Sequence, residues 1–219
     1  MLARPSTGLL SGAIVGMLVV WIATSLGWHV GGPAASRSGV SEDAARVLVD
    51  EWSRFRSGTW VVDATYRRTA SDGRSIGGAV REVQRPPDRL RTAMGSTDAM
   101  IGGYRYACAT APNDRRVLCR RGEQSAPYGV QVADELNALR RQVLGGNRRY
   151  DVERTGACFV LTARPGAEDE QWGRRTTLCF DSRSGAVART KIERADVVDL
   201  TEARVISREV TDADLRLPG

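Results

Sequence analysis

The chain has 219 residues, 42% of them hydrophobic, with a formal net charge of +6 and one histidine, His29. The part beyond residue 40 is one domain's worth of chain, enough to bury a core. It holds no histidine, which excludes Ser-His-Asp and Cys-His catalysis there, and its arginines are interspersed with acids, which argues against a nucleic-acid-binding stripe.

The first elements concern the membrane. After a short N-terminus (residues 1–8), the stretch "LLSGAIVGMLVVWIATSLGW" from Leu9 to Trp28 carries no charge. At ~1.5 Å per residue it is long enough to cross about 30 Å of hydrocarbon. Trp28 and His29 stand where an interfacial anchor would. The reading is a membrane anchor over residues 9–30, with a signal peptide as the alternative; a signal's apolar region is shorter, about 7–15 residues. Gly12 and Gly16 have a GxxxG spacing, which lets helices approach closely. Residues 31–40, rich in Gly, Ser and Pro, read as a linker, and 41–219 as an extracytoplasmic domain.

Within that domain, Ser41 suits a helix cap, with Glu42 and Asp43 in the first turn. Ala45, Leu48, Trp52 and Phe55 follow at helical spacing, and Gly58 ends the helix. Trp60, Val62, Ala64 and Tyr66 then alternate with Thr59, Val61, Asp63 and Thr65, a strand pattern. "ASDGR" turns the chain into "SIGGAVREVQ", and "RPPDRLRTAM" turns it again, with Leu90, Thr92 and Met94 on one face. Two short strands surround Gly102-Gly103.

"YACATAPNDRRVLC" is a hairpin in which counting from Asn113-Asp114 opposes Cys108 to Cys119. The same counting across "RPGAEDEQWGR" opposes Ala163 to Arg174 and Cys158 to Cys179. Free buried thiols are the plain alternative; zinc spacing is missing. Two hairpin disulfides, each stabilising by ~2–3 kcal/mol, imply an oxidising space and place the domain outside the cytoplasm, with the N-terminus inside. Between the hairpins, Val132, Leu136, Leu139 and Val143 share one helical face that Gly145-Gly146 stop. Five strands and the polar tail "TDADLRLPG" complete the chain. The expected fold is α+β: a curved antiparallel sheet with two helices on one side.

"TWVVDATYRRTASDGRSIGGAVREVQRPPDRLR" and "IGGYRYACA", with the element order from about Ser41 to Val210, resemble the LolA-like superfamily of exported lipid and lipoprotein binders. The resemblance implies an unclosed, roughly eleven-stranded half-barrel. Its concave apolar face, covered by helices, receives acyl chains or lipidated N-termini. It equally permits an interaction ectodomain of the kind found in envelope-stress regulators that bind an anti-sigma factor. The sequence departs from the family in its apparent membrane helix, which would prevent a carrier from shuttling, and in its hairpin disulfides.

Candidate ligand contacts are the apolar faces. Cross-strand counting groups Phe159, Leu161, Leu178 and Phe180, with Trp60, Val62, Tyr66 and Leu90 as candidates for the same surface and Leu136 and Leu139 on the facing helix. Such faces are also what a filled core requires. An enclosed apolar cavity of several hundred Å³ would favour lipid; a filled interior with an exposed apolar edge would favour a protein partner. Trp172 reads either as an exposed contact or as a loop anchor, beside the acids Glu168, Asp169 and Glu170. No catalytic group, cofactor or metal is expected, although paired-carboxylate hydrolysis is left open. The expected partners are the membrane, through the N-terminal helix, a lipid or lipoprotein ligand, and an envelope protein; nucleic acid is not expected.

Overall fold

Short turns between alternating stretches force antiparallel pairing, and that rule builds nearly the whole domain. The computed structural model describes residues 38–110, 116–167 and 171–218. The expected anchor and linker up to residue 37, the Asn113-Asp114 turn and the acids 168–170 lie outside the described residues. None of the described helices is long and apolar enough to cross a membrane.

Helix α1 (Ser38–Ser57) is followed by β1 (Trp60–Ala70), β2 (Ser75–Arg85), β3 (Asp88–Ala93), β4 (Ser96–Ile101), β5 (Tyr104–Thr110) and β6 (Val117–Gln124). Helix α2 (Tyr128–Val143) precedes β7 (Tyr150–Thr155), β8 (Cys158–Ala163), β9 (Arg175–Phe180), β10 (Val187–Glu193) and β11 (Val197–Ser207). The strands form one eleven-stranded sheet in the order β6-β5-β4-β3-β2-β1-β11-β10-β9-β8-β7. Every neighbouring pair is antiparallel. Two meanders, β1–β6 and β7–β11, are thus joined where β1 pairs with β11, while β6 and β7 remain the edges of an unclosed sheet.

Local chemistry explains the differences from expectation. Helix α1 starts one turn before Ser41, and Glu42 and Asp43 instead pair with Arg46 at 2.6 and 2.7 Å. Met94 does not continue the face of Leu90 and Thr92: Met94 and Gly95 both have positive φ, at 50° and 80°. That is the requirement of a two-residue hairpin turn, so β3 stops at Ala93. The tail does more than the word polar suggests. Val210, Leu215 and Leu217 pack on Val61, Val83, Leu90 and Ala99, forming a second small core on the convex side. Arg81–Asp214 (2.6 Å) and Arg85–Asp212 (2.8 Å) fasten that strap.

The main core lies on the concave side, between the sheet and both helices. Ala45, Leu48, Trp52 and Phe55 of α1 are buried there, as expected from their spacing. Phe55 stacks on Trp60 at 5.1 Å and meets Phe180 edge-on at 6.5 Å, and Phe159 meets Phe180 at 5.9 Å. Burying each such side chain contributes about 1.5–3 kcal/mol.

The cysteines pair as counted: Cys108–Cys119 between β5 and β6, and Cys158–Cys179 between β8 and β9. Non-reducing peptide mapping should recover these two linkages and no Cys108–Cys179 peptide. Replacing both Cys158 and Cys179 by Ala should lower stability in urea by about 3 kcal/mol, the loop-closure value for a cross-link of this span.

Candidate functional site: the concave trough

Helix α2 divides the concave face. Its C-terminal half buries Leu139 and Val143 against the core, with Leu136 partly covered beside them. Its N-terminal half reaches over the β3–β4 part of the same face, where Glu135 meets Arg89 of β3 at 3.7 Å and Gln131 meets the Met100 sulfur of β4 at 3.3 Å. Beyond that line no helix among the described residues covers β3–β6.

Strand register sorts the concave side chains into cross-strand rows. One row runs Ala64, Val80, Ala93, Ser96, Ala109, Leu118 from β1 to β6. Five strand spacings at ~4.8 Å make it about 24 Å long. Ala64 and Val80 are buried, Ala93 and Ser96 half-buried, Ala109 exposed, and Leu118 is 64% exposed. The row is therefore a shallow path floored by small side chains, leading from beneath the helices to the free edge. The next row, Val62, Glu82, Arg91, Asp98, Ala107, Arg120, carries charge. Arg91 donates to Glu82 at 2.7 Å. Burial raises the Asp98 carboxyl, opposed by the charge of Arg91.

A buried ionic cluster holds α2 to α1 and the sheet. The Arg56 guanidinium, 3% exposed as a residue, reaches Glu135 at 2.8 Å and Gln84 at 2.8 Å. Gln84 in turn donates to the carbonyls of Phe55 (2.6 Å) and Gly58 (3.0 Å), closing the end of α1. Tyr128 donates to the Arg56 carbonyl. Burial first, and the Arg56 charge second, push the Arg89 guanidinium down to about 9, so it stays cationic at neutral pH. The cavity beside this cluster, bordered by Trp52, Arg56, Gln84, Arg89 and Glu135, measures about 40 Å³. That holds roughly two or three waters and falls far short of the several hundred Å³ of a ligand site. A groove of about 340 Å³ over Arg67, Gly77, Leu200 and Glu202 is open and polar.

The structure brings most of the sequence-derived set together. Trp60, Val62, Leu139, Phe159, Leu161, Leu178 and Phe180 all lie buried in the main core, and Tyr66 and Leu136 pack at its margin. Phe159 stands opposite Leu178 as counted. Leu90 is the correction. The Pro86-Pro87 turn pairs Arg85 with Asp88, so Leu90 opposes Val83 and faces the convex core instead. Trp172 is a loop anchor: it is buried, 6.3 Å from the Tyr150 ring. The small-residue row was missed because alanine and serine carry no apolar stripe to notice. Counting across Met94-Gly95 and Gly102-Gly103 would have found it.

A second ionic cluster spans the seam of the two meanders. Asp199 of β11 accepts from Tyr66 (2.6 Å) and, in bidentate fashion, from Arg68 (2.6 and 2.8 Å), and also from Arg194. Burial works to raise the Asp199 carboxyl. The hydrogen bonds from Arg68 and Tyr66, with the charges of Arg68 and Arg194, outweigh it and hold the group below the usual carboxylate range. Burial, then the bond to Asp199, pushes the Tyr66 phenol above its ordinary value. Among the described residues no group of three or more metal-ligating side chains gathers.

No protein-family model matches the chain, and no curated protein matches it in sequence. Similar solved structures include a LolA superfamily protein from Nitrosomonas europaea, at 9% identity and TM-score 0.33, covering 79% of this chain and 97% of that one. Another is a DUF1329 family protein from Desulfovibrio piger, at 11% identity and TM-score 0.35, covering 80% and 97%. Likeness of this size carries no argument about ligand or activity, which must come from the chain's own geometry.

Two substitutions test the clusters. Glu135→Gln should lower stability by about 3 kcal/mol, since it leaves two buried guanidinium groups poorly compensated. Asp199→Asn tests the seam through pH. A depressed folded-state value means stability that is present above the unfolded value of ~3.9 and is lost as pH falls through the folded value. The gap between wild type and Asp199→Asn in urea titrations should therefore be full at pH 7 and shrink as pH falls below the unfolded value of ~3.9 toward the lower folded value.

Proposed function

We propose that this chain is a membrane-tethered, extracytoplasmic binding module for an apolar ligand of the acyl-chain kind, and that it performs no chemistry. The observation that carries this reading is the row from Ala64 to Leu118, small side chains aligned across six strands and left open beside α2. A linear apolar chain laid along it would bury Ala93 and Ala109 and cover Leu118, gaining roughly 25 cal/mol for each Å² removed from water. The filled interior lacks the enclosed cavity expected of a lipid site and by that criterion favours a protein partner, so the lipid reading rests on the open half of the concave face. Lifting α2 would lengthen the path toward Leu136, Leu139, Phe159, Leu161, Leu178 and Phe180. The neighbouring row supplies Arg91 and Arg120 for a polar head.

Two cystine hairpins suit an oxidising compartment, and the uncharged run Leu9–Trp28 supplies a tether. Edman sequencing of the mature protein should begin at the initiator region; a start near Ser36 would remove the tether from the proposal.

Native mass spectrometry of detergent-extracted protein should show co-purified lipid. Ala109→Trp fills the open row at an exposed position, so it should abolish that lipid while moving stability by less than about 0.5 kcal/mol. Leu161→Trp, in the filled core, should instead overpack and lose about 1–3 kcal/mol. Wild-type protein without lipid, or lipid retained by Ala109→Trp, would overturn the reading.

A further inference from the structure

The two edges of the sheet are not equivalent. At β7, Tyr150 and Val152 are buried and both helices pack against the strand. At β6, every residue from Leu118 to Gln124 is exposed, no described strand pairs with its outer side, and the tail touches it at the Cys119 sulfur, 3.2 Å from the Pro218 carbonyl. A free edge of that length offers unpaired backbone groups to any extended chain.

The Cys108–Cys119 pair shows which groups are free. In antiparallel sheets the closer of the two alternating pair types lacks mutual hydrogen bonds, at about 4.5 Å between Cα atoms against 5.5 Å. The Cα–Cα distance of 4.0 Å assigns Cys108–Cys119 to that type. The N–H and C=O of Cys119 therefore point away from β5, and by two-residue alternation so do those of Val117 and Arg121. The register shift after Arg121, where Tyr106 opposes Arg121 but Tyr104 opposes Gln124, ends the regular edge. Val117–Arg121 is thus a preset strip of outward backbone groups, pinned in register by a disulfide.

Charge selects what can use it. Arg120 and Arg121 outnumber Glu123 along this strand. Arg121 lies over the Tyr104 ring at 3.4 Å. Among the described residues Arg120 and Arg121 form no ion pair with a carboxylate. Basic edges discourage pairing with a second copy of the same strand and favour an acidic partner.

We propose that β6 is a docking strip for an acidic, extended peptide segment of a partner protein, which adds as a twelfth, antiparallel strand. The register requires carboxylates opposite Arg121 and Arg120 and an apolar side chain opposite Leu118, so the recognised pattern, read from the peptide's N-terminus, is acid, acid, any, apolar. The strip shares Leu118 and Arg120 with the apolar ligand reading, but its outward backbone groups at Val117, Cys119 and Arg121 take no part in that reading, so protection there tests the docking strip by itself.

The test uses the full chain in detergent micelles and a blocked peptide, Thr-Glu-Glu-Thr-Val-Thr. Its Lys-Lys counterpart is the control. Residue-resolved amide hydrogen exchange should show at least tenfold slowing at Val117, Cys119 and Arg121 with the acidic peptide and none with the basic one. The double change Arg120→Glu with Arg121→Glu should weaken binding at least tenfold and turn the preference to the basic peptide. Val117→Pro removes one outward donor at a position that gives β5 no hydrogen bond; it should weaken binding while leaving thermal stability and co-purified lipid unchanged. Equal binding of both peptides, protection confined to Ala93 and Ala107, or exchange already slowed in the free protein by β6 pairing between two copies would each overturn the proposal.

Discussion

The pairing of β1 with β11 is the contact on which the rest of the domain depends. It runs from Val61 opposite Ser207 to Ala70 opposite Val197 and unites two meanders that are otherwise far apart in sequence. Such a closure is entropically expensive to form, and two devices hold it. On the concave side, Asp199 collects Tyr66 and Arg68 across the seam, with Arg194 from its own hairpin turn beside them. On the convex side, the tail returns over β1–β5 and fixes Asp214 to Arg81. With the seam made, the remaining strand pairs follow from short turns.

The same closure decides where a ligand could go. One sheet wide enough to curl needs something on its concave side, and α1 and α2 supply it only over part of the width. Their aromatic and aliphatic side chains fill that half to the point where about 40 Å³ is left beside the Arg56–Glu135 cluster. The other half is floored by Ala93, Ser96 and Ala109, whose small size leaves a path rather than a cavity. Large apolar residues mark what the protein fills for itself, and small ones mark what it leaves open.

Much of this was legible in the sequence. The helical spacing of Leu48, Trp52 and Phe55, the alternation from Trp60 to Tyr66 and the symmetric cysteine pairs gave helix, strand and register directly, because each is a local rule. Leu90 escaped because its face depends on how the Pro86-Pro87 turn sets parity, and a one-residue step exchanges the two faces of a strand. The tail escaped because Val210, Leu215 and Leu217 sit among charges whose role appears only when Arg81 and Arg85 are placed opposite them. The Arg56–Gln84–Glu135 cluster joins residues far apart in the chain, and no periodicity announces such a contact. The open row escaped for the opposite reason: its residues are unremarkable singly and form a path only in register.

Photo-crosslinking with a diazirine-bearing fatty acid tests the central claim most directly. On the present account the label should enter the segments of β3–β6 that carry Ala93, Ala109 and Leu118, and an excess of unlabelled fatty acid should compete it away. Labelling confined to the convex groove near Arg67 and Leu200, or uncompeted labelling spread over the whole surface, would contradict an acyl-chain path on the concave face.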